Sequence, residues 1–299
     1  MRVIQFSQYG GPDVLTLVVD ASEPSAGPGQ VRIRVRAAAV NPFDGKQRSG
    51  MMAAGKELTG AVVPGLEAAG VVDQIGEGVT DAAVGDEVFG LGSATYAESA
   101  VLRAWAPKPD GLSFAEAAGL AVAGETALRV LGLLSLERGQ VLLVHGASGG
   151  VGQAIVQFGV AAGLRVIGTA SEANHGLLRE LGAEPVAYGD GLVSSVGHLT
   201  DEVAGIIDAA GTQLADLLAT GASPDHIVTI ANYAARDAGV RFSGGSGDAS
   251  GALAQVARVA GGGGFRVRVA QAFDLTEAAA AHRLSDSRRA GGKIVLLVG

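Results

Sequence analysis

The chain has 299 residues, 48% of them hydrophobic, enough for two compact domains and too apolar for a disordered polymer. A formal net charge of −8 repels phosphate backbones, so nucleic acid is not expected as a partner. The absence of cysteine excludes disulfides, thiolate nucleophiles and sulfur-liganded metals.

The opening Met1-Arg2-Val3-Ile4-Gln5-Phe6 turns polar without the apolar core of a signal peptide, and apolar runs elsewhere are broken by Gly or charge. No membrane span is expected, and the protein is expected in the cytoplasm. From Met1 to about Arg103 the texture is strand-like: Val31-Arg32-Ile33-Arg34-Val35-Arg36 alternates, and Gly70 to Gly76 and Val84 to Gly90 are short runs between turn residues. This predicts an all-β, barrel-like region, followed by an extended connector from Ala104 to Asp110 with Pro107 and Pro109. Ser113 followed by Glu116 is a capping-box pattern opening a helical stretch from Phe114 to Leu134.

Beyond Val141 strand and helix signals alternate. Strands are predicted at Val141 to Val144, Arg165 to Gly168, Gly205 to Asp208 and His226 to Ile230, a βαβ series that implies an α/β fold with a doubly wound parallel sheet. Gly261 to Gly264 reads as a flexible loop. An acid-capped helix from Leu275 to Leu284 and a strand from Lys293 to Val298 close the chain, and this tail is expected to return to the first domain. The division expected is residues 1–112 with 266–299 as a β-rich domain, and residues 113–265 as a dinucleotide-binding domain.

Within the second domain, Val141-Leu142-Leu143-Val144-His145 runs into Gly146-Ala147-Ser148-Gly149-Gly150-Val151-Gly152 and then a helix. Such a turn presents backbone N–H groups and a positive helix end to a pyrophosphate, and side chains there would hold the phosphates away. Ala147 takes the first position of the G-x-G-x-x-G pattern, while Gly149 and Gly152 keep the others. The next strand ends in Thr169-Ala170-Ser171, where an acidic residue would read the ribose 2′-hydroxyl of NAD. Ser171 leaves room for a 2′-phosphate and favours NADPH, with NADH possible because Glu172 follows directly. The same segment matches the G-x-S-x-G nucleophile elbow, so the alternative is an α/β-hydrolase-like esterase with Ser148, Asp208 and His226 or His282.

Taken in order, Val35 to Asp44 with Arg48 and Gly50, Pro64 to Val72, Val84 to Val88, Ala123 to Ala127, the glycine loop, Leu181-Gly182-Ala183 and Gly292 to Leu296 resemble the zinc-independent quinone oxidoreductase branch of the medium-chain dehydrogenase/reductase superfamily. The resemblance covers nearly the whole chain. It implies a GroES-like catalytic domain beside a Rossmann domain, and NADPH-dependent hydride transfer to a quinone or an α,β-unsaturated carbonyl such as an enone, enal or enoyl thioester. Zinc-dependent relatives carry Cys near Asn41, His at Leu66 and Cys near Val122, so no metal is expected.

By the same resemblance, Asn41 is the catalytic residue beside nicotinamide and substrate, and Thr126 approaches the carboxamide. Gly149, Gly150 and Val151 meet the pyrophosphate with Ser148 nearby. Ser171 faces the 2′-phosphate, Tyr188 the adenosine, Phe242 the nicotinamide end, and Lys293 the adenine ribose phosphate. Asp44 and Arg48, four residues apart, are expected to pair and steady the Asn41 loop, and His145 to be a packing residue. Met51 and Met52 stand where relatives have a Tyr, so no phenol donor is expected there. An edge strand near Val240-Arg241-Phe242 and the resemblance together imply a homodimer. A non-catalytic NADPH-binding protein would keep the same glycine loop.

Overall fold

The alternation at Val31–Val40 does become a strand, whose side chains are buried on one face at its start and on both at its end. In this computed structural model, which describes residues 1–245 and 248–299, the chain divides into two compact units, Met1–Val122 with Ala249–Gly299, and Ala123–Asp248. The first unit opens with a ribbon of β1 (Val3–Gln5) and β2 (Thr16–Val18). It continues through β3 (Val31–Val40), α1 (Pro42–Arg48), β4 (Glu67–Ile75), β5 (Glu87–Ser93), β6 (Ser99–Pro107) and α2 (Phe114–Ala118). Helix α3 (Leu120–Leu134) spans the boundary.

The second unit holds β7 (Val141–His145), α4 (Gly150–Ala161), β8 (Arg165–Ala170), α5 (His175–Glu180), β9 (Glu184–Ala187), α6 (Leu192–Gly197), β10 (Gly205–Asp208), α7 (Leu214–Ala219), β11 (Ile227–Thr229) and β12 (Arg241–Phe242). Its strands are all parallel, in the order β12-β11-β10-β7-β8-β9. That order reverses direction between β7 and β10, which makes the carboxyl ends of those strands the place where a Rossmann sheet receives a dinucleotide. Helices cover both faces of such a sheet, which is why Leu142, Leu143 and Val144 are consecutive, apolar and fully buried.

The chain returns to the first unit through α8 (Ala249–Gly261), β13 (Val269–Asp274), α9 (Ala278–Asp286) and β14 (Lys293–Leu297). Strand β14 pairs antiparallel with β3, giving the sheet order β13-β14-β3-β4-β5-β6 with β3 also paired to β6. The core of this unit gathers Ile33, Val35, Val72, Leu102, Ile294 and Leu296.

Three sequence expectations differ from this architecture. The unit boundaries fall at 122/123 and 248/249, not at 112/113 and 265/266. Helix α8 buries Leu253, Val256 and Ala260, an apolar stripe that packs on β6, and α2 packs on β3 and β4. The expected connector from Ala104 is strand as far as Pro107, which ends the ladder opposite Val88 where its missing N–H costs little. The expected all-β region contains α1, started by Pro42 and with Asp44 in its first turn and Arg48 in its last, as the helix dipole favours.

Candidate active site

In the second unit, β7 stops at His145 and the chain turns through Gly146, whose φ of +80° is the left-handed conformation that favours glycine. Ala147 N–H donates to the Thr169 carbonyl at 3.0 Å and Gly146 N–H to the Thr169 hydroxyl at 3.0 Å, so the loop is pinned to the neighbouring strand β8. A Cβ on Gly152 would lie 2.2 Å from the Gly146 carbonyl oxygen, so only glycine lets α4 start this close to β7. Gly149 caps α4 with an extended backbone, which leaves the N–H groups of Gly150 and Val151 among those a helix start cannot bond internally. This is a cradle for an anion.

Of the other expected cofactor residues, Ser171, Tyr188 and Phe242 stand at the carboxyl ends of strands of the same sheet. Ser171 follows the carboxyl end of β8, its hydroxyl accepting from Asn174 Nδ2 at 3.0 Å, and Tyr188 follows β9 with 58% exposure rather than packing in the core. Phe242 ends β12 and meets Tyr233 edge-on, with ring centroids 5.2 Å apart. Thr126 lies buried on α3, within one turn of the Glu125–Arg129 ion pair, and Arg129 also donates to the Ser243 hydroxyl. Burial lowers the pKa of His145, whose Nδ1 meets the Thr169 hydroxyl at 2.8 Å and Nε2 the Thr212 hydroxyl at 3.0 Å. It holds the loop from beneath and does more than fill space.

Ser148 is half-buried in this loop, and its hydrolase partners are not assembled. It follows the carboxyl end of β7, whereas His226 is exposed at the amino end of the parallel strand β11. Asp208 is committed to the Thr229 hydroxyl and to the N–H groups of Ala210 and Gly211, and His282 is bound within the first unit by Arg48 and Tyr96. The elbow reading is therefore corrected: the sequence pattern is met, the triad geometry is not.

In the first unit, the ends of three neighbouring strands converge on Asn41. Ile294 faces Val40 and Ala68 faces Ala38 across the ladders, which brings Lys293 and Glu67, the first residues of β14 and β4, beside the residue that follows β3. Lys293 Nζ donates to Asn41 Oδ1 at 2.7 Å and to Glu67 Oε1, and Asn41 Nδ2 donates to Glu67 Oε1 at 3.0 Å. Asn41 is 4% exposed, Lys293 4% and Glu67 0%. Lys293 is thus neither a solvated strand charge nor a side chain extended toward a ribose phosphate; its ammonium is enclosed with Asn41 and Glu67.

A second buried network holds the Asn41 backbone. Its N–H donates to Asp44 Oδ2 at 2.8 Å, which also accepts from the Tyr96 hydroxyl at 3.1 Å. His282 Nε2 lies 3.2 Å from that hydroxyl and its Nδ1 lies 2.8 Å from Arg48 Nη1, while Arg48 Nη2 donates to Asp286. An arginine can only donate, so His282 carries its proton on Nε2. Burial raises the Asp44 carboxyl to about 7, against the pull of the Asn41 N–H and the Tyr96 hydroxyl, and burial with the Arg48 charge lowers His282 to about 4. The expected Asp44–Arg48 pair is corrected: the two steady the Asn41 loop through Tyr96 and His282, not through each other. Glu67, Tyr96 and His282 were not singled out as parts of one site by sequence reasoning, since none carries a local motif.

The alcohol dehydrogenase GroES-like domain family matches residues 27–118, and the zinc-binding dehydrogenase family matches residues 181–296. Quinone oxidoreductase of Rattus norvegicus is 39% identical over 192 residues, 62% of this chain and 58% of that protein. The chloroplastic NADPH-dependent alkenal/one oxidoreductase of Arabidopsis thaliana is 35% identical over 225 residues, 71% of this chain and 58% of that protein. These alignments and two further ones span 58% to 66% of the curated relatives' own lengths. A crystal structure of an NAD-dependent alcohol dehydrogenase, 30% identical, superposes with a TM-score of 0.87 over 100% of both chains. Zinc does not fit the residues present: Leu66 and Val122 offer no side-chain donor, Glu67 is taken by an ammonium, and no group of three His, Cys, Asp or Glu among the described residues is placed to hold a metal. With a GroES-like first unit, a Rossmann second unit and these relatives, the chain belongs to the medium-chain dehydrogenase/reductase superfamily, in its quinone oxidoreductase branch.

Proposed function

We propose that the protein is an NADPH-dependent oxidoreductase that reduces a quinone or an α,β-unsaturated carbonyl without a metal. The observation that carries this reading is the glycine cradle at the point where the parallel sheet reverses its strand order, with Ser171 in place of an acid at the end of the next strand. Gly149, Gly150, Val151 and Ser148 bind the pyrophosphate, Ser171 the 2′-phosphate, Tyr188 the adenosine, and Thr126 and Phe242 orient the nicotinamide end. NADPH supplies the hydride when bound.

The protein's part is to position the acceptor and to stabilise the charge that develops on its oxygen as the hydride adds to the conjugated carbon; a solvent proton completes the reduction. The Asn41 amide is a neutral donor for that oxygen. One such hydrogen bond suits an acceptor already activated by conjugation and serves an isolated ketone poorly. The names of the relatives, quinone and alkenal/one oxidoreductases, point to the same class of acceptor.

NADPH titration followed by turnover with a quinone and an enone, both under exhaustive chelation, tests the reading. Turnover of at least one acceptor, unchanged by the chelator, is expected. Rapid oxidation of a simple alcohol with no reaction on any quinone or enone would overturn it, and cofactor binding with no turnover at all would favour a non-catalytic binding protein. We also propose a homodimer built on β12, the edge strand of the parallel sheet; a monomer in sedimentation at micromolar concentration would count against it.

A further inference from the structure

An asparagine amide has one acceptor oxygen and two N–H hydrogens. Around Asn41 the oxygen accepts from the Lys293 ammonium and one hydrogen is given to the Glu67 carboxylate. The reverse orientation would set NH2 against an ammonium and C=O against a carboxylate, so the partners fix which way the amide faces. One N–H of Nδ2 is left without a partner among these bonds. The ammonium on Oδ1 draws density from the amide and makes that remaining N–H a stronger donor.

Lys293 and Glu67 are themselves fixed. Glu67 accepts from Val122 N–H with its other oxygen, Oε2, at 2.7 Å. The stem of Lys293 runs over Gly119, where an added Cβ would stand 3.2 Å from Cγ and 3.3 Å from Cε. The Asn41 backbone is held separately, by Asp44, and the hydrogen bonds of Lys293 and Glu67 to Asn41 are to its side chain.

From this juxtaposition we infer that Lys293 and Glu67 are positioning residues for the reaction: they lock the Asn41 amide in one orientation and present its single free N–H to the acceptor oxygen. The inference rests on the role given to Asn41 under the proposed function. It assigns Lys293 to turnover, not to cofactor affinity, and it makes the effect of Lys293 depend on Asn41.

A double-mutant cycle on the full-length protein tests both statements. Lys293→Met is expected to lower kcat roughly tenfold to a hundredfold, the range for a misaimed transition-state donor, while the NADPH Kd moves less than about threefold. In the Asn41→Ala background the same change is expected to lower kcat less than about twofold. Should Lys293→Met fail to fold, the Lys293→Met/Glu67→Gln variant removes both buried charges together and takes its place in the cycle, with the same expectations. A full loss of kcat in both backgrounds, an unchanged kcat in either Lys293 variant, or a weakened NADPH Kd with kcat intact would each overturn the inference. If Asn41→Ala itself leaves turnover untouched, the proposed function fails first and this inference with it, an outcome distinct from the others.

Discussion

At the carboxyl edge of the parallel sheet, the groups offered to a ligand are backbone N–H groups and small hydroxyls, held by a loop of consecutive residues from Gly146 to Gly152. Around Asn41 the groups are charged side chains, brought from 26 and 252 residues away by the ladders of one sheet. The first design constrains where a side chain is absent; the second constrains which side chain is present. Substitutions should therefore fail for different reasons in the two regions, steric in the loop and electrostatic around Asn41.

The largest expected effect on cofactor binding is at Gly152. Valine there would drive its Cβ to 2.2 Å from the Gly146 oxygen and 2.8 Å from Ala147 Cα, both backbone atoms with no rotamer to yield, so α4 must move off β7. NADPH affinity should fall by more than about a hundredfold, some 2.7 kcal/mol, in a fluorescence titration. Gly149→Ala sharpens the point. Its Cβ meets only the Gly146 oxygen, at an ordinary 3.4 Å, so melting of the cofactor-free protein should be unchanged while the methyl group weakens NADPH binding by roughly tenfold through its approach to the phosphates. Equal losses from both glycines would show that the loop is not held by the β7–α4 approach.

The buried network breaks in another way, through pH. Asp44 has an ordinary value of 3.8 and stands at about 7 when folded, so between these values the folded chain holds a proton the unfolded chain has lost. Its contribution is undiminished below 3.8 and declines as pH rises through about 7, by on the order of 4 kcal/mol in all. His282 runs the other way: lowered from 6.5 to about 4, it destabilises the fold as pH falls through that window, by on the order of 3 kcal/mol. Asp44→Asn should therefore gain stability relative to the parent as pH rises from 4 to 7, and His282→Gln should gain as pH falls from 6.5 to 4. The groups facing the pair are Tyr96, Arg48, Asp286, Lys293 and Glu67, all kept in both variants. Trp105 is the chain's single tryptophan and lies in the first unit, so its fluorescence in urea follows the unit concerned. Parallel pH profiles for parent and variants would contradict the assigned protonation states.

This contrast also explains what could be read from the sequence. The strand-loop-helix of the cradle and the order of alternating elements are written in consecutive residues: the strand expected at Val141 to Val144 runs one residue further, to His145, and Gly205–Asp208 and the cap of Ser113 on Glu116 stand where the pattern puts them. Asn41 was marked by resemblance, and so was Lys293, but in another role; Glu67, which joins them, was not. Asp44 and Arg48 sit four apart on α1, a spacing that suggests a pair, yet both are buried and each meets groups from other elements, which local spacing does not record. The one signal available for Glu67 and Lys293 was a charge of opposite sign at the head of each apolar strand, Ala68-Ala69-Gly70 and Ile294-Val295-Leu296. Only the β3–β4 and β3–β14 registers turn those two charges into neighbours.

The smallest expected effect lies between these extremes of design, at Ser171, a side chain on the backbone-built edge. Its hydroxyl accepts from Asn174 Nδ2, and its neighbours are the exposed Glu172 and the half-buried His175, whose Nε2 lies 3.3 Å from the Ala170 carbonyl. The bonds at this corner come from neutral groups, so under the proposed function discrimination for a 2′-phosphate rests on neutral donors and on the missing acid. An aspartate at 171 would keep the Asn174 bond, repel a 2′-phosphate and accept from a ribose 2′-hydroxyl. Ser171→Asp should shift the NADPH to NADH ratio of kcat/KM toward NADH by about tenfold, near 1.4 kcal/mol, without moving kcat for the preferred acceptor. A parent already faster with NADH, or a variant with an unchanged ratio, would move the site of cofactor choice away from the end of β8. It would also leave Ser171 as a residue that merely terminates a strand.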